Sequence, residues 1–282
     1  MVASSDGISL HAEVHGDGIP VLFSCALNTT QENWRPQVGP LVEAGFRVVL
    51  WDYRGHGRSE VPLDAAAYSM QRVVADMGSV LDWAAPGEPA VLAGLSFGGL
   101  ASLHFTLQAP QRVRALVLVD SGPGFKNPDA QANWQDSVEK TAGYLERKGM
   151  EPFVASRAVS MLVGTESERP EARAALRAIA AQEPRGLANF GRYIAGPAPG
   201  VIDDLPKIDV PALVLVGEHD KAYLRAAEVM EAKLPHAQRV VIPGAHHIVN
   251  LEQPKAFESA VLRFLGQVRD AGVEAGEVGS PG

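Results

Sequence analysis

The chain has a single cysteine, Cys25, among 282 residues. It can form neither an internal disulfide nor a cysteine zinc cluster, and a fold that does without disulfides suits a reducing compartment. Positive charge is in short supply, the net balance being −8. That balance argues against nucleic acid or an anionic membrane as a partner. No apolar run approaches the ~18 residues of a spanning helix. The first residues, Met1 to Gly7, lack the basic and apolar regions of a secretory leader, so the expected location is cytoplasmic. The eight histidines show no H-E-x-x-H spacing and no metal is expected. There is no G-x-x-x-x-G-K-[ST] loop and no dinucleotide fingerprint opening a helix. No cofactor is therefore expected, and the remaining partner class is a small-molecule substrate. Oligomeric state is not legible.

What the chain does have is Gly94-Leu95-Ser96-Phe97-Gly98. An apolar run, Pro89 to Ala93, precedes it and a small-residue helix start, Gly99 to Leu103, follows. Strand, G-x-S-x-G, helix is the setting of a nucleophile elbow. The serine sits on a strained turn whose flanking glycines remove side chains that would clash with strand and helix.

A serine hydroxyl needs a base, and the base needs an acid to orient it. Downstream, Val210 to Gly217 reads as a buried parallel strand and leads into Glu218-His219-Asp220. Asp220 thus follows a strand C-terminus, the edge where ligands collect in open α/β sheets. Asp120, after the strand Val113–Val119, competes with it. A short strand, Gln238 to Ile242, ends in a loop carrying His246 and His247, either of which is placed to be the base.

This order of motifs, from about residue 7 to 266, resembles the α/β-hydrolase superfamily. The resemblance implies an α/β fold: a mostly parallel central sheet, helices on both faces and an inserted helical cap. It implies a Ser-Asp-His triad of Ser96, Asp220 and His247. His247 is favoured because Glu252 and Pro254 follow it at the usual spacing, with His246 standing where relatives carry Gly. One oxyanion donor is the N–H of Phe97, next to the nucleophile. The other is assigned to Ala26, with Cys25 as alternate, in the loop Ser24 to Thr30. That loop partly resembles the loop of the 3-oxoadipate enol-lactonases and related esterases and lactonases, with Ala26 and Asn28 replacing a Ser and a Gly. Relatives that act as dehalogenases or epoxide hydrolases carry Asp at the elbow, so Ser96 argues against both.

Asp52 to Ser59 matches the superfamily element D-x-R-G-x-G-x-S. It reads as a glycine-rich turn braced by an Asp52–Arg54 pair, with His56 as support and not as a catalytic group.

Strands and helices alternate up to Val119, the pattern of a covered parallel sheet. The region after Asp120 reads as helices near 129–148, 151–162, 170–182 and 185–194. The expected organisation is a core of 1–124 and 206–268, a helical cap of 125–205 and a disordered tail of 269–282. Leu27, Trp34, Phe125, Trp134 and Ile248 are candidate substrate-pocket walls. Tyr144, Phe153, Met161, Phe190 and Tyr193 are weaker ones. An anionic substrate would need a cation, for which Lys126, Arg157 and Arg192 are available.

The expected activity is hydrolysis of a small to medium carboxylic ester or lactone through an acyl-enzyme on Ser96. The same residues suit an enol-lactonase-like or C–C bond hydrolase. A non-catalytic ligand-binding member is a third reading.

Overall fold

Apolar, β-branched runs build the centre of the molecule. The computed structural model describes residues 1–277. Its main sheet has seven strands: β1 (Ala12–His15), β2 (Ile19–Ser24), β3 (Phe46–Trp51), β4 (Ala90–Leu95), β5 (Val113–Val119), β6 (Ala212–Gly217) and β7 (Ala237–Ile242). Their spatial order is β1-β3-β2-β4-β5-β6-β7, with β1 antiparallel to β3 and every other pair parallel. All residues of β4 and β6 are buried, so both sheet faces are covered, as continuous apolar parallel strands require.

The main helices are α1 (Arg35–Glu43), α2 (Met70–Ala84), α3 (Phe97–Gln108), α4 (Pro128–Lys148), α5 (Pro170–Ala180), α6 (Pro184–Phe190), α7 (Lys221–Lys233) and α8 (Pro254–Glu277). Local chemistry sets several starts. The Ser69 hydroxyl accepts from Arg72 N and opens α2; the Asn127 amide oxygen accepts from Asp129 N and Ala130 N and opens α4. Proline at the first position opens α4, α5, α6 and α8.

After β2 the chain crosses to β3, then returns past β2 to β4. The β2 and β4 ends therefore flank a topological switch point, where a crevice opens at the carboxyl edge of the sheet. The loop after β2 and the serine after β4 face each other there.

Between β5 and β6 the structure is helical. The expected helix 151–162 is broken into Met150–Val154, a 3-10 turn at Arg157–Val159 and Ser160–Val163. Ser156 causes the break: its hydroxyl accepts from Ala158 N and caps a new turn.

The expected tail of 269–282 begins inside the last helix. α8 continues through Glu277, and Arg269 anchors it by donating to Ala44 O at 3.3 Å and lying over the Phe46 ring. Residues 278–282 lie outside the described part of the chain.

Candidate active site

Three non-glycine residues among those described have positive φ: Asn28 (65°), Ser96 (53°) and Asp120 (42°). They follow β2, β4 and β5, side by side at the carboxyl edge of the sheet. Left-handed backbone at a residue with a side chain is costly and persists only where the surroundings over-determine it.

The surroundings of Ser96 do so. A Cβ on Gly94 would stand 2.2 Å from the Gly98 backbone, and one on Gly98 would stand 2.3 Å from Ser24 O. Both glycines are thus required by close backbone approach, and Gly98 lets the elbow touch the loop after β2. Ser96 N donates to Val119 O at 2.9 Å, and the Ser121 hydroxyl donates to Ser96 O at 2.7 Å. Phe97 opens α3, so its N–H has no partner within the helix.

The loop after β2 is held by residues far away in sequence. Thr29 donates through its N–H (3.2 Å) and hydroxyl (2.9 Å) to Ala26 O. Asn28 N donates to His56 Nε2 at 3.3 Å. The Gln182 amide bridges Asn28 O and Gly57 N, each at 2.9 Å. Asn28 takes the left-handed position that related loops give to Gly; Asn is among the few residues with a side chain that visit it. His56 is fully buried, and burial lowers its pKa to about 3. It stays neutral and accepts through Nε2. Cys25 is buried under the same loop, and desolvation pushes its thiol well above the usual range. It is a packing residue, not a thiolate.

The D-x-R-G-x-G-x-S turn is braced, but not by the expected pair. Arg54, with no solvent exposure, forks onto Asp76 (2.7 and 2.6 Å) and Asp6 (2.9 and 3.1 Å). Asp52 instead accepts backbone N–H groups, from Gln31 at 2.9 Å and Arg58 at 3.1 Å. Asp52 thus fastens the turn through backbone N–H groups, and Arg54 fastens it through carboxylates far away in the chain.

On the far side of the crevice, Asp220 precedes α7. Its Oδ2 lies 2.7 Å from His247 Nδ1, and both side chains are buried. That contact assigns the Nδ1 proton to the Asp220 side and leaves Nε2 as the basic nitrogen. His246 is displaced from this pair: its side chain is half exposed, beside Glu252 and the His219 ring. Glu252 explains the spacing that singled out His247, since its carboxylate accepts from His246 N, Thr165 N and the Thr165 hydroxyl. It clamps the histidine loop to the helical segment. Asn250 adds a buried tie, donating to Asn33 O (2.7 Å) and Gln37 Oε1 (3.1 Å).

Asp120 competed for the acid position and is placed elsewhere. Its carboxylate accepts from Gly217 N at 2.8 Å and lies 3.4 Å from Val249 N. Burial, then the nearby Asp220 charge, raises its pKa well above the carboxylate range. It braces the end of β6 against the histidine loop.

Ser96, Phe97, Ala26 and His247 share the wall of one cavity of about 550 Å³. Of the expected wall residues, Leu27, Phe125 and Trp134 line it, joined by Phe153 and Met161. Trp34 and Ile248 do not: both are fully buried. Trp34 packs on Phe23 and Phe257 and donates to Ser24 O, so it supports the loop from below. Tyr144, Phe190 and Tyr193 are also absent from the wall; Phe190 packs on Tyr53, His56 and Phe97. One lining residue escaped the sequence reading. Tyr223, three residues after Asp220, puts its hydroxyl 3.5 Å from Ser96 Oγ and stacks on His247. The i, i+3 spacing at the start of a helix was the available signal.

Among the described residues no cluster of three or more His, Cys, Asp or Glu could hold a metal ion, and no helix is long and apolar enough to cross a membrane.

A model of the alpha/beta hydrolase fold matches residues 19–254. The 3-oxoadipate enol-lactonase 1 of Acinetobacter baylyi is 28% identical over 95% of this chain and 97% of its own. A Bacillus subtilis protein provisionally named 2-succinyl-6-hydroxy-2,4-cyclohexadiene-1-carboxylate synthase is 30% identical over 79% of this chain and 82% of its own. A thermophilic esterase from Thermogutta terrifontis superposes with a TM-score of 0.82 at 27% identity, covering 95% of this chain and 97% of that one. With the switch-point crevice and the serine elbow in place, the match over most of the chain settles the family: this protein is an alpha/beta hydrolase.

Proposed function

We propose that the protein is a serine hydrolase acting on a neutral, largely apolar carboxylic ester or lactone. The observation that carries this reading is the His247–Asp220 contact of 2.7 Å on the wall of the cavity that also holds Ser96 in its elbow. In this reading Ser96 Oγ attacks the carbonyl carbon as His247 Nε2 takes its proton. Asp220 stays ionised and steadies the imidazolium. The N–H groups of Phe97 and Ala26 receive the oxyanion. His247 then protonates the leaving oxygen and activates the water that frees the acyl group. Residues 1–124 and 206–268 form the core, and 125–205 act as the cap that closes the cavity.

The neutral-substrate part rests on charge. No Lys or Arg lines the cavity. Arg192 is taken up by Glu139 and Glu146, and Lys126 by Asp203. Arg157 lies outside the lining. The two curated relatives carry carboxylates in their names, and an acyl chain with a free carboxylate would enter this apolar space unpaired, at a cost of several kcal/mol. An ester or lactone of the esterase type fits better.

Purified wild type and Ser96→Ala should be compared on p-nitrophenyl esters from acetate to octanoate, with small lactones alongside and an organophosphonate label as control. Turnover in the wild type should fall by at least about 10³-fold in Ser96→Ala. Labelling of Ser96 without turnover would redirect the substrate towards diketones or enol-lactones. Neither turnover nor label would favour a ligand-binding protein.

A further inference from the structure

The cavity holds a hydroxyl that the triad chemistry does not use. Tyr223 lies in the first turn of α7, its N–H donating to Asp220 O at 3.0 Å. Its hydroxyl is 3.5 Å from Ser96 Oγ. Its ring lies against the His247 imidazole, with centroids 4.9 Å apart and planes 24° apart. One side chain thus touches both the nucleophile and the base, from the helix that begins at the acid.

Resting on the serine-hydrolase reading, we propose that Tyr223 is a further catalytic residue. Its phenol O–H donates a hydrogen bond to the alkoxy oxygen of the scissile ester as the C–O bond breaks beside His247.

The geometry favours that oxygen over the other two at the tetrahedral carbon. The carbonyl oxygen points to the amides of Phe97 and Ala26, which belong to α3 and the loop after β2. Ser96 Oγ becomes the new ester oxygen. The alkoxy oxygen must face the proton on His247 Nε2, and Tyr223 is stacked on that ring. The bookkeeping of atoms is unchanged by its presence. The Oγ–C bond forms and the C–alkoxy bond breaks. The proton leaving Ser96 passes through His247 to the alcohol, and the phenol keeps its own. Burial raises the Tyr223 pKa above that of a free phenol, so the donor is intact at neutral pH. The resting 3.5 Å is longer than an ideal O–H···O bond, and catalytic contacts commonly tighten as the transition state forms.

Tyr223→Phe keeps the ring and removes the donor. The test compares kcat/KM on two esters of one acyl group, an ethyl ester and a p-nitrophenyl ester. Nitrophenolate leaves without help; ethoxide does not. The variant should lose about tenfold or more on the ethyl ester and stay within about twofold on the p-nitrophenyl ester, with an unchanged melting temperature. Equal losses on both esters, or no loss on either, would overturn the proposal. So would wild-type activity on both esters in Tyr223→Phe combined with loss in Tyr223→Leu, which would assign the residue to ring packing alone. Ser96→Ala run in parallel separates the two levels. Retained turnover there removes the serine reading and this proposal together; a dead Ser96→Ala with an unselective Tyr223→Phe removes this proposal only.

Discussion

The carboxyl edge of the sheet and the helices between β5 and β6 face the same cavity and are built in opposite ways. At the sheet edge the polar groups are buried and tied to distant chain: Asn28 to His56 and Gln182, Arg54 to Asp6 and Asp76, Asn250 to Asn33 and Gln37. Three strained residues sit there, Ser96 and Asp120 held by neighbouring strands and Asn28 by His56 and Gln182. In the helical segment the charges stay outside. Arg192 meets Glu139 and Glu146 across an exposed surface, and the cavity side of α4 presents Trp134, Val138 and Leu145. Such exposed pairs contribute little, with a median near 0–1 kcal/mol. The edge fixes where reacting atoms stand; the helices supply a shape that tolerates exchange of one apolar side chain for another.

Gly98→Ala should give the largest effect of substitutions that probe this contrast. Its Cβ would stand 2.3 Å from Ser24 O and 2.9 Å from Cys25 O, backbone atoms that cannot swing aside as a side chain would. Forcing the elbow away from the β2 loop separates the two amides proposed for the oxyanion. We expect kcat/KM to fall about 10²–10³-fold, the cost of one such donor, with a destabilisation of about 3 kcal/mol in urea unfolding. Wild-type activity in Gly98→Ala would mean that the edge is as tolerant as the helices.

Trp134→Leu should do the reverse, altering preference more than rate or stability. The indole lines the cavity and donates to Ala195 O at 2.8 Å. Its removal should shift the optimum towards longer acyl chains by up to about tenfold in relative kcat/KM. Losing the hydrogen bond should lower Tm by only about 2–4 °C. An unchanged chain-length profile would detach α4 from substrate selection.

The last effect concerns pH and touches stability alone. Unfolded His56 titrates near pH 6.5, whereas buried His56 stays neutral down to about pH 3. Between those values the unfolded chain binds the extra proton, so stability falls as pH drops, by ~1.4 kcal/mol per unit. His56→Gln keeps an amide acceptor for Asn28 N and removes the titration. It should be less stable than wild type at pH 8 and show a flatter Tm between pH 6.5 and 4.5, by differential scanning calorimetry.

The positions of Ser96 and Asp220 were legible because both follow a strand that is itself an unmistakable apolar run. Ser96 follows Ala90–Leu95, and Asp220 follows Ala212–Gly217 at a short interval. Their place at the carboxyl edge needs only chain direction. Trp34 and Ile248 were misplaced for the converse reason. Both neighbour site residues in sequence, yet in short turns and loops adjacent side chains point in different directions, and these two point into the core. The Arg54 partners lie 48 and 22 residues away, a separation that carries no local signal. That the last helix enters the expected tail was not legible, because the Arg269 contacts to Ala44 O and the Phe46 ring join parts of the chain far apart.

The sequence by itself determined the fold class and the strand-turn-helix elbow, since both depend on short-range periodicity and on glycines where backbones must approach. Only the tertiary structure shows that Asp220 meets His247 while Asp120 and His246 turn to other partners, and which aromatics reach the cavity. It alone placed Tyr223 against Ser96 and His247. Those choices depend on side-chain direction and on hydrogen bonds between elements far apart in the chain, and both are settled only once the sheet edge, α7 and the histidine loop have packed together.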